Sequence, residues 1–213
     1  YSTFEVKNEM FLINDCVIDG LSTTDCNHIS YSKKSYPIDG RHDLHNLCAS
    51  ISVLSIIGLS LKSILTSFHK RKRLEHRVEK FFTFNGINFI NDSKSTNADS
   101  TGNALMSLGN NIILIMGGDN KRMSYKTLNK LINEKVKILI MIGDNKGVLN
   151  TVLDVKTNKV CYQDLEIAMS YVFSVMLPGD TVLMSPGTSS YYMYDNYQPV
   201  SYTHLTLPTI YSV

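Results

Sequence analysis

The chain of 213 residues is 43% hydrophobic and 19% charged, with 21 Lys and Arg against 19 Asp and Glu and a formal net charge of +2. That balance is an ordinary globular one. It excludes a largely disordered chain, leaves room for one large or two small domains, and is too weakly basic to argue for a nucleic-acid partner.

In chain order, the segment to about residue 38 alternates short apolar runs at 10–13 and 16–18 with the turn pairs Asn14-Asp15 and Asp19-Gly20. This predicts hairpin-like strands at the edge of a larger sheet. The segment opens at Tyr1 without an initiator methionine, so an upstream part is expected to be missing. Between 43 and 59, Leu44, Leu47, Cys48, Ile51, Leu54 and Gly58 recur at helical spacing, and a second helix is predicted over 61–68. The longest apolar run, 51–61, is broken by Ser52, Ser55, Gly58 and Ser60 and is too short to cross a bilayer, so no membrane partner and no secretory signal are expected. The run His69-Lys70-Arg71-Lys72-Arg73 reads as a solvated linker. Cys16, Cys26, Cys48 and Cys161 have no pair at metal-ligand spacing, which predicts free buried thiols in a reducing, cytoplasmic setting.

After the linker the pattern changes. Apolar stretches at 78–84 and 87–90 flank Asn85-Gly86, a pair suited to a type I′ hairpin because both central residues must take positive φ. Continuous apolar strands at 112–116, 136–142 and 181–184 then alternate with helical stretches at 97–108, 125–133, 146–153 and 165–176. Such alternation predicts an α/β, doubly wound, mostly parallel sheet, whose ligands gather at the carboxyl ends of the strands. The polar clusters fall at those ends: Asn91-Asp92-Ser93-Lys94, Gly117-Gly118-Asp119-Asn120-Lys121, Gly143-Asp144-Asn145-Lys146 and Ser185-Pro186-Gly187-Thr188-Ser189-Ser190.

Each cluster has a plain reading beside a chemical one. Gly117 to Lys121 is either a strand-to-helix turn with an exposed lysine or a cradle of N–H groups and a cation for an anion; it is neither a GxGxxG fingerprint nor a P-loop. Asp92 and Thr96 suit turn or N-cap roles for the helix that follows. Lys94 lies at that helix start, where the helix dipole opposes a cation and an anionic ligand would relieve the repulsion. Arg77 is either an ion-pair partner of Glu75 or Glu79 or a bidentate clamp on a phosphate. His42, His45 and His76 form no metal-ligand or nucleophile constellation. Tyr191, Tyr192, Tyr194 and Tyr197 read first as packing.

Taken together, Gly40-Arg41-His42-Asp43-Leu44-His45-Asn46, His76-Arg77-Val78-Glu79, Asn91-Asp92-Ser93-Lys94-Ser95-Thr96-Asn97, Gly117-Gly118-Asp119-Asn120-Lys121 and Ser185-Pro186 with Ser189-Ser190 resemble, in this order and spacing, the Mur ligases. The Asn91 to Asn97 run is the specific part, and it is similar to the branch of the family that adds D-glutamate. The resemblance covers roughly residues 36–198. It implies three domains in an intact enzyme, one for a UDP-sugar, a central ATPase, and a Rossmann-like C-terminal domain that receives the amino acid. It also implies that ATP phosphorylates the carboxylate of UDP-N-acetylmuramoyl-L-alanine and that the amine of D-glutamate attacks the acyl phosphate.

Carried onto this chain, the resemblance implies that Asn46, with Asp43 nearby, meets the adenine, Arg77 the ATP phosphates and Asp92 the nucleotide sugar. Lys94 and Thr96 would stand where nucleotide and amino-acid sites meet, Lys121 and Ser190 on the D-glutamate carboxylates, and Tyr191 and Tyr197 beside that pocket. Lys94 and Arg77 are the catalytic candidates. Asp43 departs from the family, which has asparagine at that place. The P-loop and the ligands for Mg2+ are expected upstream of Tyr1, the intact enzyme is expected to be a cytoplasmic monomer, and this chain alone is expected to be inactive. The domain reading is 1–72, the end of the central ATP-binding domain; 73–198, an incomplete C-terminal domain; and 199–213, an adapter-derived tail, because residues 200–210 resemble the translation of a transposon-end sequencing adapter. The alternatives are a non-catalytic nucleotide- or anion-binding module and another ligase of the same superfamily.

Overall fold

A computed structural model describes residues 3–7, 10–19, 22–32, 41–69, 75–119 and 124–188. The chain divides into two compact units, Tyr1–Arg73 and Leu74–Val213.

In the first unit, strands β1 (Thr3–Lys7), β2 (Met10–Asp19) and β3 (Ser22–Ser32) form an antiparallel sheet in that order. The turn expected at Asn14-Asp15 does not form. Both residues remain in β2, opposite His28 and Asn27, and the irregularity appears as a register shift between Asp15 and Val17. Ladder pairing with two neighbours outweighs the local turn preference, and a bulge absorbs what remains of it. Helix α1 (Arg41–Ile56) stops earlier than predicted. Gly58 has φ +89°, and Leu59 N–H donates to Leu54 O at 3.1 Å, the Schellman closure that a glycine in the left-handed region permits. Ser60 Oγ then accepts from Ser63 N–H at 3.3 Å and opens helix α2 (Leu61–His69). Among the described residues, Leu47, Ile51 and Ile64 are the buried apolar side chains of these helices. No described helix is long and apolar enough to cross a membrane.

The second unit holds a six-stranded sheet. Its strands are β4 (Glu79–Phe84), β5 (Ile87–Asn91), β6 (Ile112–Gly118), β7 (Val136–Gly143), β8 (Asn158–Cys161) and β9 (Thr181–Met184), in the order β4-β5-β9-β6-β7-β8. Only β4 is antiparallel, joined to β5 through Asn85 (φ +48°) and Gly86 (φ +76°), as the I′ reading requires. Along β6, Ile112, Leu114 and Met116 face one side, packed with helices α3 (Ala98–Ser107), α4 (Leu128–Lys135) and α5 (Lys146–Val152). Ile113 and Ile115 face the other, packed with helix α6 (Leu165–Val175). Strands β6, β7 and β9 are thus apolar on both faces because both faces are covered by helices, which is why they read as unbroken apolar runs. The sheet is the mixed, mostly parallel, doubly wound one that the sequence predicts.

Two details differ from expectation. Strand β8 was not predicted: it is a four-residue edge strand with no fully buried residue. Cys161, its last residue, is a free and exposed thiol rather than a buried one. The side chains of Cys16, Cys26 and Cys48 lie outside the described residues.

Candidate functional site

The carboxyl edge of the parallel strands collects the polar residues. Asp92 follows β5 and is 2% exposed. Its N–H donates to Met184 O at 2.8 Å, its Oδ1 accepts from Val78 N–H at 3.2 Å, and its Oδ2 accepts from Ser185 Oγ at 2.7 Å. Ser185 Oγ also lies 3.0 Å from Thr101 Oγ1, which reaches this edge from the buried side of α3. Burial raises the Asp92 pKa above its ordinary 3.8, against the hydrogen bonds of Ser95, Ser185 and Val78 and the charge of Arg77, all of which lower it.

Arg77 is exposed and sits between two residues of unusual backbone, His76 at φ +65° and Val78 at φ +44°. A β-branched residue in the left-handed region costs on the order of 1–3 kcal/mol and persists only where its surroundings hold it there. They do. His76 is buried, its Nδ1 lies 2.8 Å from Asn91 Nδ2, its N–H donates to Glu79 Oε2 at 2.7 Å, and its carbonyl accepts from Lys94 N–H at 3.2 Å. Glu79, which with Glu75 is one of the two ion-pair partners the sequence offers Arg77, binds the backbone of the bend. Val78 N–H is held by Asp92.

The loop after β9 stitches the edge together. Ser185 N–H donates to Ile115 O at 3.1 Å, Gly187 N–H to Ser95 O at 2.9 Å, Gly117 N–H to Pro186 O at 2.9 Å, and Thr188 Oγ1 to Asp119 O at 2.8 Å. Gly117 has φ +126°, and a Cβ there would stand 2.1 Å from Ile142 O. Its neighbour Gly118 donates its N–H to Asn145 Oδ1 at 3.0 Å. The glycines therefore serve close packing of β6 on β7 as well as a turn.

All the buried side-chain polar atoms without a partner among the described residues lie at this same edge: Ser93 Oγ after β5, Tyr125 OH and Asn129 Oδ1 at the start of α4, and Asn145 Nδ2 after β7. Buried polar groups are normally paired, so this is where a polar ligand or water would be satisfied. Among the described residues no group of His, Cys, Asp and Glu could hold a metal ion.

The structure brings Arg77, Asp92 and Lys94 together, with Lys94 half-buried and Thr96 exposed. Of the turn and N-cap roles open to Thr96, the structure excludes the N-cap of α3. Asn97 takes that place, its Oδ1 accepting from Ser100 N–H at 2.8 Å. Asn46 is exposed on α1 in the other unit, where Asp43 also lies. Lys121, Ser190, Tyr191 and Tyr197 fall outside the described residues. Sequence reasoning missed Thr101, and it placed His76, Asn91 and Asn145 in the motifs and strand-end clusters without giving them a role. The signal for Thr101 was a hydroxyl in the buried stripe Ala98, Thr101, Leu105; the contact between His76 and Asn91 spans the hairpin and has no local signature.

A family model described as "Mur ligase, glutamate ligase domain" matches residues 73–187. The UDP-N-acetylmuramoylalanine--D-glutamate ligase of Acidobacterium capsulatum is 32% identical over 162 residues, 76% of this chain and 35% of that protein. The protein of the same name from Christiangramia forsetii is 28% identical over 195 residues, 91% of this chain and 43% of that one. Among solved structures, a pseudomurein peptide ligase type C from Methanothermus fervidus aligns with a TM-score of 0.64 at 14% identity, over 92% of this chain and 41% of that one. The chain thus spans well under half the length of these relatives.

Proposed function

The chain belongs to the Mur ligase family, and we propose that it is the amino-acid-receiving part of an ATP-dependent ligase that joins D-glutamate to UDP-N-acetylmuramoyl-L-alanine in peptidoglycan precursor synthesis. The observation that carries this reading is the hydrogen-bonded bend presenting Arg77 beside the buried Asp92 at the carboxyl edge of the sheet, inside the segment the family model matches. The choice of D-glutamate rests on the names of the relatives.

In this reading ATP transfers its terminal phosphoryl group to the alanyl carboxylate, the D-glutamate amine attacks the resulting acyl phosphate, and the tetrahedral intermediate expels phosphate. The exposed, planar guanidinium of Arg77 suits a bidentate hold on ATP phosphate oxygens. Lys94 supplies a cation to the crowded oxygens where nucleotide and amino acid meet, with Thr96 on the amino-acid side. Asn46, Asp43 and Asp92 belong to the nucleotide side, and Lys121, Ser190, Tyr191 and Tyr197 to the D-glutamate pocket. The described residues do not fit a Mg2+ site, and its ligands are assigned to the rest of the parent protein.

The test is phosphate release by the intact parent protein with UDP-N-acetylmuramoyl-L-alanine, ATP and one amino acid at a time. Release that requires D-glutamate is expected. Release with a different amino acid would reassign the substrate, and none with any would favour a non-catalytic binding module. Lys121→Ala should raise KM for D-glutamate by roughly tenfold or more, the size of one lost charge-assisted hydrogen bond; an unchanged KM would remove Lys121 from the pocket. This chain alone should not ligate.

A further inference from the structure

Resting on the reading that Arg77 meets the ATP phosphates, we propose that Asn91 is a positioning residue. Its amide holds the His76 ring in the neutral tautomer that carries the proton on Nε2, and so sets the bend from which Arg77 projects. Asn91 is the last residue of β5, wholly buried, and paired with Glu79 on β4 and with Met184 on β9, so its side chain springs from backbone held by a ladder on either side. The amide has one orientation only. Ser93 N–H must donate, and it points at Asn91 Oδ1 at 3.1 Å, which leaves Nδ2 to face His76 Nδ1 at 2.8 Å. An amide nitrogen also donates, so Nδ1 is the bare, accepting nitrogen; a proton there would set two donors against each other. The other acceptor beside this nitrogen, Glu79 Oε2, lies 3.9 Å away, too far for a hydrogen bond, and is engaged by His76 N–H at 2.7 Å. His76 itself stands at φ +65° and is 3% exposed, with Arg77 directly after it. Neither member of the pair has water as a substitute, so removing one leaves the other buried and unsatisfied, and turning the ring out to solvent relieves that at the expense of the bend.

Asparagine in place of His76 separates positioning from contact. Its Oδ1 stands where Nδ1 does, it tolerates positive φ, and it has nothing in the place of Nε2. In the intact ligase, His76→Ala should raise KM for ATP about tenfold while moving KM for the amino acid less than about twofold, and His76→Asn should recover to within about threefold of wild type. Asn91→Ala also releases Ser93 N–H, so it is read against His76→Ala: the double variant should be no more than about twofold worse than the poorer single one, because both changes break one bond. In an Arg77→Ala background, His76→Ala should add less than about twofold for the same reason. Nitrogen NMR of the histidine-labelled ligase at about pH 8, above the ordinary imidazole range, reads the tautomer without turnover, the His76 signals being those absent from His76→Asn. Wild type should show a bare Nδ1 and a protonated Nε2. Asn91→Asp, which sets an accepting oxygen against the ring, should bring a proton onto Nδ1.

A protonated Nδ1 in wild type would overturn the proposal by giving the ring to Glu79. Equal damage from Asn and Ala in place of His76 would overturn it in favour of a ligand contact through Nε2, as would losses that multiply across the pair or with Arg77→Ala. An unchanged KM for ATP in Arg77→Ala alone would overturn the phosphate reading and this proposal with it; a raised one with multiplying losses would overturn this proposal only. Should His76→Ala fail to fold, Asn91→Ala takes its place in the Arg77→Ala background, and the wild-type tautomer decides as before.

Discussion

At Asp92 burial and hydrogen bonding pull the proton in opposite directions, and burial is the larger effect. Because the folded pKa lies above the ordinary 3.8, the folded state binds this proton more tightly than the unfolded chain does. Its contribution to stability is complete below 3.8 and is lost as pH rises through the raised value. Asp92→Asn, which carries no titrating proton, should therefore gain stability relative to wild type as pH rises through that window. Paired thermal melts from pH 4 upward check this; a difference that runs the other way would show that the hydrogen bonds and Arg77 outweigh burial. Gly117 is a second residue with a sharp requirement. At φ +126° with Ile142 O only 2.1 Å from the position of a Cβ, Gly117→Ala forces β6 off β7. A loss of about 3 kcal/mol or more in urea unfolding is expected, and a loss under about 1 kcal/mol would mean that the strand pair yields easily.

For the elements, the cap of α3 decides how the β5 end passes into a helix. Asn97→Ala should cost about 1 kcal/mol because it strips the acceptor from Ser100 N–H, whereas Thr96→Ala, exposed and outside the cap, should cost under about 0.5 kcal/mol. Chemical denaturation of both variants separates the two, and the reverse order would restore Thr96 as the cap. That ambiguity shows what the sequence makes legible. Threonine and asparagine are both good N-caps, and only the backbone, extended at Asn97, tells them apart. Where a signal is local and strong, it reads through: Asn85-Gly86 takes positive φ at both positions, and β6, β7 and β9 appear as continuous apolar runs. Where pairing is long-range it does not. β8 has two half-buried residues and owes its existence to β7 beside it, and the Asn14-Asp15 turn yields to a ladder on either side. The site follows the same rule, since Arg77, Asp92 and Lys94 stand in compact motifs while His76–Asn91 and Ser185–Asp92 join segments far apart in the chain.

Across the whole molecule, the two edges of the large sheet are used differently. At the amino edge the charges are paired: Lys137 Nζ donates to Asp180 Oδ2 at 2.8 Å, the same oxygen accepts from Leu177 N–H at 2.8 Å, and Lys135 Nζ donates to Leu105 O and Leu108 O at the end of α3. At the carboxyl edge stand Ser93 Oγ, Tyr125 OH, Asn129 Oδ1 and Asn145 Nδ2, without partners among the described residues. One edge is closed by its own chain and the other is left with bonding capacity, the division expected when a sheet is a scaffold and its carboxyl loops do the binding. Among the described residues, both apolar layers of that scaffold are built from residues between Val78 and Met184. A fragment spanning 74–213 should accordingly unfold in one cooperative transition and keep slow amide exchange along β6, β7 and β9. Hydrogen exchange and thermal melting of that fragment decide the matter: rapid exchange across those strands would mean that the sheet needs residues before Leu74, and that a core complete in its apolar contacts is still not a folding unit.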